Sequence, residues 1–440
     1  MKASGLSCGV SRAVITPALG SPIPGGTAER LSTGVLDDLH VRALYVESPG
    51  TDWAFAGVDA VDVPRSLVAG VRADVAERIG TSAANVVVTA THAHTAGPTI
   101  ETSFVRAVDD DYLRWLQRRV ADAVVMAHAR RKAARIGVGV GQVAGAAFNR
   151  RFRMQDGSVR TNPGVGNPDI VAPTGPVDPQ VSVIRFDAVD GKPIATLTNF
   201  ACHADTVGGT RYSGDFPGVL DETVRAVLGP DVVGVFSQGT SGNINHVDVA
   251  DAETVKRPEA PLAIAGRIGR ALAGETLAVR ELSRPGEVDV AVATADVPLA
   301  WRTVGETQVM AARRAAAPDS DASSAERKLA PQVLELAGRD DPRPVAEVTA
   351  IRFGRAAAMV CLPAELFVEF GLRIKDESPF PITMVNELSN GSVSGYICTP
   401  AAYREGGYEP MLRRYSRLSE EAGDLLVDAA VRLLHELHQD

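Results

Sequence analysis

A β-branched apolar run ends in two histidines at VVVTATHAHTAGP (86–98). Residues i and i+2 of a strand share one side, so His92 and His94 are expected to point into one cavity. Imidazole is a common ligand of divalent metals. A catalytic zinc takes about three protein ligands and leaves a position for water. Zinc lowers the pKa of the water it binds to about 7, giving a nucleophile without a strong base. Two more residues of suitable type follow strand-like runs, His203 after TLTNFAC and Glu365 after AAAMVC. The bland readings are equally concrete. His203 alone suits a hydrogen-bonded core residue, and Glu365 with Glu369 suits the wet side of a helix.

Two further runs carry polar groups, the first of them directly after a strand. QGTSGNINH (238–246) follows VVGVF directly, with Gly239, Asn243, Asn245 and His246 as candidate substrate-binding positions. It reads either as a nest of backbone N–H groups for an oxyanion or as a plain loop. SGYICTPAAYREGGYEP (394–410) holds Tyr396, Tyr403 and Tyr408, three of the seven tyrosines. A buried phenol needs a partner for its hydroxyl, and a metal or a developing oxyanion would serve. His40, His128, His435 and His438 have no such setting.

The elements that must carry these groups are legible in outline. LHVRALYVES and DWAFAGVDAVDV read as strands joined at Pro49-Gly50. Residues 64–80 read as a helix with Pro at its start and Gly at its end. Residues 85–90 form a continuous apolar strand, 109–134 a long amphipathic helix, and 151–180 a long loop. The runs 181–188 and 193–201 form a hairpin about Asp190-Gly191. A helix at 215–228, a strand at 232–239, a helix at 262–278 and a strand at 286–298 follow. The charged, Ala-rich stretch 301–345 reads as a helical excursion, a candidate lid. AAAMVC and PITMVNEL are strands, and a helix closes the chain. In open α/β sheets ligands bind beyond the strand C-termini, where the His92/His94, His203, 238–246 and Glu365 clusters fall. The whole is expected to be one α/β domain spanning 1–440, a mixed sheet core flanked by helices.

The 440 residues suffice for a large core, and a net charge of −9 argues against a nucleic-acid partner. Six Lys stand against 39 Arg, a bias of composition and not a phosphate-binding surface. Four cysteines, with no C-x-x-C pair, are too few for a disulfide scaffold. Neither a signal peptide nor a transmembrane segment is expected, and a cytoplasmic location is the default.

Taken in order, the motifs resemble the catalytic domain of the neutral, non-lysosomal ceramidases, zinc-dependent amidases. The matching runs are GVSRAVITPALGSPIPGG, GVLDDLHVRAL, THAHTAGP, FNRR (148–151), NFACHAD, SGDFPG, LPAELF and GYICTPAAYREGGYE. The resemblance implies one Zn2+ held by His92, His203, Glu365 and Tyr396. It places His94 behind the ligands or against substrate, Arg150 on substrate or developing charge, and Tyr408 as an oxyanion donor. Two departures are plain. The family's Gly-Asp-x-Ser-Pro run is replaced by GNINH, with Asn243, Asn245 and His246 in place of Asp, Ser and Pro. The family's added immunoglobulin-like C-terminal domain is not expected. The resulting expectation is hydrolysis of a small N-acyl substrate at its amide bond. An ester or lactone hydrolase, or a non-enzymatic binding protein, are the alternatives.

Overall fold

Along His40–Ser48, Val41, Ala43 and Tyr45 pack into one apolar cluster, and Leu44 and Val46 into another. A strand buried on both faces needs a layer on each side. The computed structural model describes residues 5–26, 28–102, 105, 108–251 and 260–439. It supplies both layers.

The strands of the two large sheets are numbered here in chain order. The first sheet contains β1 (Ser7–Val14), β2 (His40–Ser48), β3 (Thr51–Val58), β4 (Val86–Ala90), β5 (Lys132–Gln142), β6 (Gln180–Ala188), β7 (Pro193–Phe200) and β8 (Val233–Gln238). Their order is β8-β7-β6-β5-β1-β2-β3-β4. Two pairs at its ends, β3 with β4 and β7 with β8, run parallel, and the other pairs are antiparallel. The second sheet contains β9 (Val290–Pro298), β10 (Val345–Phe353), β11 (Ala357–Cys361) and β12 (Ile382–Asn386), in that order, with β11 and β12 parallel.

The inner faces of the two sheets meet through Leu44, Trp53, Phe55 and Leu197 from the first and Ile351, Phe353, Met359 and Met384 from the second. The Trp53 and Phe353 rings pack edge to face at 5.3 Å. Helices α1 (Arg65–Ile79) and α2 (Asp110–Ala129) cover one part of the first sheet's outer face, and α3 (Asp215–Leu228) and α4 (Ala263–Leu282) cover the rest. On the outer face of the second sheet lie α7 (Val368–Glu377) and α9 (Ala422–Gln439). The expected mixed sheet flanked by helices is therefore present, with a second sheet inserted between the helical layers.

Three boundaries differ from expectation. Helix α2 stops at Ala129 and β5 begins at Lys132, because the apolar periodicity changes there from helical to alternating. The expected loop 151–180 contains a small sheet of Arg151–Met154, Val159–Thr161 and Ile170–Pro173. Its tight turn uses Asp156-Gly157, with Gly157 at φ 80°. The excursion 301–345 forms helices α5 (Glu306–Ala315) and α6 (Ser324–Ala337), which pack on each other through Ala312, Ala315 and Ala330. Ion pairs Arg414–Glu335 and Arg417–Asp341 tie it to the segment before α9. A short helix, α8 (Pro400–Glu405), precedes that segment, opened by the Thr399 side chain as cap.

Strand β4 ends the first sheet, yet every residue in it is buried. Its free edge is covered by the chain just after β12: Asn390 N–H donates to Val88 O at 2.7 Å and Ala90 N–H to Leu388 O at 3.1 Å. Both Leu388 and Asn390 take left-handed backbone angles to do so. This seam brings the C-terminal ends of β4 and β12 side by side. Trp53 fills the space between the sheets with no exposure. Trp53→Ala is expected to cost about 3–5 kcal/mol of unfolding free energy, measured by denaturant titration. A loss below about 1 kcal/mol would deny the sheet–sheet core its assigned weight.

Candidate active site and metal centre

The polar clusters meet where the parallel pairs end. His92 lies just past β4, His203 past β7, Ser241 past β8, Glu365 past β11 and Glu387 past β12. The two histidines of the H-x-H run do not share a side by strand alternation, because β4 ends at Ala90. His92 instead adopts φ 66°, a left-handed turn rare for a side chain of this size. That turn swings His94 back, and His94 Nε2 comes within 3.3 Å of His92 Nε2. The Glu365 segment is placed by a short parallel ladder, Glu365–Leu366 against Tyr396–Ile397, in which Glu365 pairs directly with Tyr396.

The atoms converge on a point. Glu365 Oε2 lies 3.3 Å from His92 Nε2 and 3.3 Å from His203 Nε2. A tetrahedral ion with bonds of about 2.0–2.1 Å has ligand–ligand edges of about 3.3–3.4 Å. The spacing is that of a metal's donor set. His203 Nε2 and Glu365 Oε2 are buried and make no hydrogen bond among the described residues. Unpartnered buried polar atoms of this kind call for a further occupant. Val61 O accepts from His92 Nδ1 at 2.7 Å, and Ser241 O from His203 Nδ1 at 2.8 Å. Each bond turns the Nε2 lone pair toward the common point. Among the described residues, His92, His94 and His203 form a group whose ring nitrogens lie within 4.8 Å of one another.

Electrostatics agree with this arrangement. Burial, then the charges of Arg150 and His92, depress His203 to about 4, so its imidazole is neutral. Burial and His92 likewise depress His94 to about 3. Burial opposes charge on His92 as well, but Glu365 outweighs it and raises His92 to about 9. Glu365 is held well below its usual range against burial, chiefly by His92. Burial, then Glu365, keep Tyr396 protonated as a neutral phenol.

A cavity of about 50 Å³ opens on this cluster, with His94, Tyr396, Tyr408, Arg413 and Tyr415 in its wall. Tyr396 packs against the rings of Tyr408 at 5.9 Å and Tyr415 at 6.1 Å. Tyr403, the third tyrosine of that run, packs under Arg302 instead.

Arg150 does not open onto the cavity. Its Nε donates to Glu409 at 2.9 Å and its Nη2 to Gly242 O at 2.7 Å, and its guanidinium lies 5.4 Å from the Tyr396 ring centre. It therefore supports Tyr396 from behind. The run 238–246 is likewise engaged by protein at Gly239, Ser241 and Gly242. Gly239 N–H donates to Phe200 O, Gly242 N–H to Leu366 O, and Ser241 N–H to Glu387. A Cβ at Gly239 would meet the Ala201 backbone at 2.8 Å, which is the reason for glycine there. Asn243 donates to Glu369 and accepts from Val368 N–H. Asn245 donates to Asn162 and accepts from Val247 N–H. His246 pairs with Asp205 at 3.0 Å beside a separate cavity.

Sequence reasoning missed Glu387, Arg413 and Tyr415. Glu387 is fully buried and accepts from Ser241 Oγ at 2.7 Å, Ser241 N–H at 3.0 Å and Leu366 N–H at 2.7 Å. One carboxyl thus ties the carbonyl that orients His203 to the strand that carries Glu365. Its only sequence signal was a charge inside PITMVNEL. Arg413 and Tyr415 lie in no motif. They reach the site because Gly395 N–H donates to Tyr415 O at 2.6 Å while Gly395 O accepts from Glu365 N–H at 3.0 Å. Glu387→Ala is expected to weaken the binding of an added divalent metal by about 10–100-fold, read by competition with a chromophoric chelator. Unchanged affinity would show that the carboxyl does not orient the donors.

Residues 8–252 match the family model described as neutral/alkaline non-lysosomal ceramidase, N-terminal. Among solved structures the chain is similar to neutral ceramidase from Pseudomonas aeruginosa, with a TM-score of 0.74 at 17% identity, covering 98% of this chain and 75% of that one. It is also similar to a ceramidase complexed with C2, with a TM-score of 0.70 at 17% identity and the same coverage. No curated protein matches the chain.

Proposed function

Since the chain belongs to the neutral/alkaline non-lysosomal ceramidase family, we propose that it is a zinc-dependent hydrolase acting on the amide bond of a small N-acyl substrate. The observation that carries the reading is the convergence of His92, His203 and Glu365 at tetrahedral spacing, with two of their donor atoms buried and unpartnered. Tyr396, paired in register with Glu365, is the fourth donor in this assignment. When bound, a zinc ion would polarise the scissile carbonyl and lower the pKa of water.

The chain's own groups supply the rest. Val61 O and Ser241 O hold the imidazole tautomers, and Arg150 holds the Tyr396 ring. Tyr408 lies in the cavity wall beside Tyr396, and its hydroxyl donates to the oxygen that gains charge as the carbonyl becomes tetrahedral. His94 takes a proton from the attacking water and returns it to the leaving amine. Its Nε2 stands 3.3 Å from His92 Nε2, beside the donor cluster. The cavity has room for a few water molecules, enough for the reacting carbonyl and a small polar group beside it, and the rest of the substrate lies outside it. No described helix is long and apolar enough to cross a membrane.

Metal analysis tests the donor assignment. Wild type is expected to carry about one zinc per chain, and His92→Ala and His203→Ala to lose it. Equal metal content in all three would remove these histidines from the centre. Tyr408→Phe is expected to keep its zinc and lose about 10²–10³-fold in kcat on an N-acyl amine. Full turnover in that variant would take Tyr408 out of the reaction.

A further inference from the structure

Arg413 is 1% exposed, yet neither of its terminal nitrogens, Nη1 and Nη2, has a hydrogen-bond partner among the described residues. Among the described residues it forms no ion pair. Its guanidinium lies 3.9 Å from the Tyr408 ring centre and 5.5 Å from that of Tyr396, and it lines the same cavity as His92 and Glu365. Arg150 lies near the other ring contact of Tyr396, but its charge is matched by Glu409 at 2.9 Å. Arg413 has no such match. The one carboxylate in the described cavity wall is Glu365, which is engaged by His92 and His203.

A buried guanidinium is a planar fork with five donors and a permanent charge. Rings of tyrosine cover its faces well but leave the in-plane N–H groups unsatisfied. What satisfies two parallel N–H groups in a plane is a carboxylate, which accepts both at once. We propose that the substrate itself brings that carboxylate: the site takes an N-acyl compound with a carboxylate a few bonds from the scissile carbonyl, such as an N-acyl amino acid, held bidentately by Arg413. This inference rests on the amide-hydrolase reading and adds the charge of the substrate to it. The shared contact with Tyr408 and Tyr396 keeps the anion close to the reacting bond, so its capture also orients the carbonyl.

The test compares N-hexanoylglycine with N-hexanoylethanolamine, which differ in a carboxylate against a hydroxymethyl group, on zinc-loaded protein. Wild type is expected to favour the acid by at least about 100-fold in kcat/KM. In Arg413→Gln that ratio is expected to fall near one, with the acid's KM taking the loss, and Arg413→Lys is expected to recover part of it. Succinyl and 4-hydroxybutanoyl amides of one amine repeat the comparison with the charge on the acyl half. A preference for the acid in either pair supports the proposal. Equal treatment of both pairs by wild type overturns it, whether or not the variants fold. An equal fall in both members of a pair in Arg413→Gln also overturns it, because that is the signature of an oxyanion donor. If no compound is cleaved, the amide-hydrolase reading falls, and calorimetry with the same compounds decides the Arg413 claim. Tighter binding of the acid by wild type, lost in Arg413→Gln, would uphold it, and equal binding would sink it.

Discussion

The covered edge of β4 is the constraint on which the rest depends. A strand at the end of a sheet has unpaired N–H and C=O groups, and burying them unpaired would be costly. Here the chain leaving β12 supplies the partners through Leu388 and Asn390. Asn390 adds a side-chain bond, its Oδ1 accepting from Val88 N–H at 3.2 Å and its Nδ2 donating to Glu347 at 2.8 Å. The two sheets are thus joined by backbone pairing as well as by apolar contact. One donor of the site comes from each side of that joint, His92 after β4 and Glu365 after β11.

From this seam a second tier of bonds follows. Glu387, the residue before Leu388, faces the loop after β8 and the short strand after Glu365 at once. Its burial pushes it up to about 8, with Glu365's charge adding to the effect. Asp62, also buried and raised to about 7, accepts from Ser392 on the far side of the seam. Two carboxyls that are costly to ionise therefore sit behind a cluster of donors arranged for a cation. Such positions are found where a site needs fixed geometry more than stability.

The outer wall is built differently. Tyr396, Tyr408 and Tyr415 stack edge to face around two guanidinium groups, and a single glycine, Gly395, permits it. A Cβ there would come within 2.4 Å of Tyr415 O. The 301–345 excursion reaches this wall through Arg414 and Arg417, neighbours of Arg413 and Tyr415. The part of the molecule least like an ordinary sheet layer is thus anchored to the part of the site that faces the incoming ligand.

Residue type and local order made His92, His203, Glu365 and the tyrosines of 394–410 candidates and marked the strands beside several of them, while the choice of Glu365 and the roles of Tyr396 and Tyr408 came from the resemblance of the motifs to the ceramidase family. These signals are local: apolar runs, turns at Gly and Pro, and chemically able side chains just after a strand. The division into two facing sheets was not legible, since β11 and β12 look the same in sequence whether they extend the first sheet or face it. The left-handed turn at His92 was not legible either, because nothing in T-H-A-H announces its φ. The polar run 238–246 looked like a site because its residues can bind substrate. The folded chain engages them with Glu369, Asn162 and Asp205 instead. Arg413 carried no signal at all, for an arginine in a charged stretch is ordinarily solvated. Pairing partners and burial belong to contacts between residues hundreds of positions apart, and only the packed chain decides which polar groups are satisfied and which are left facing the cavity.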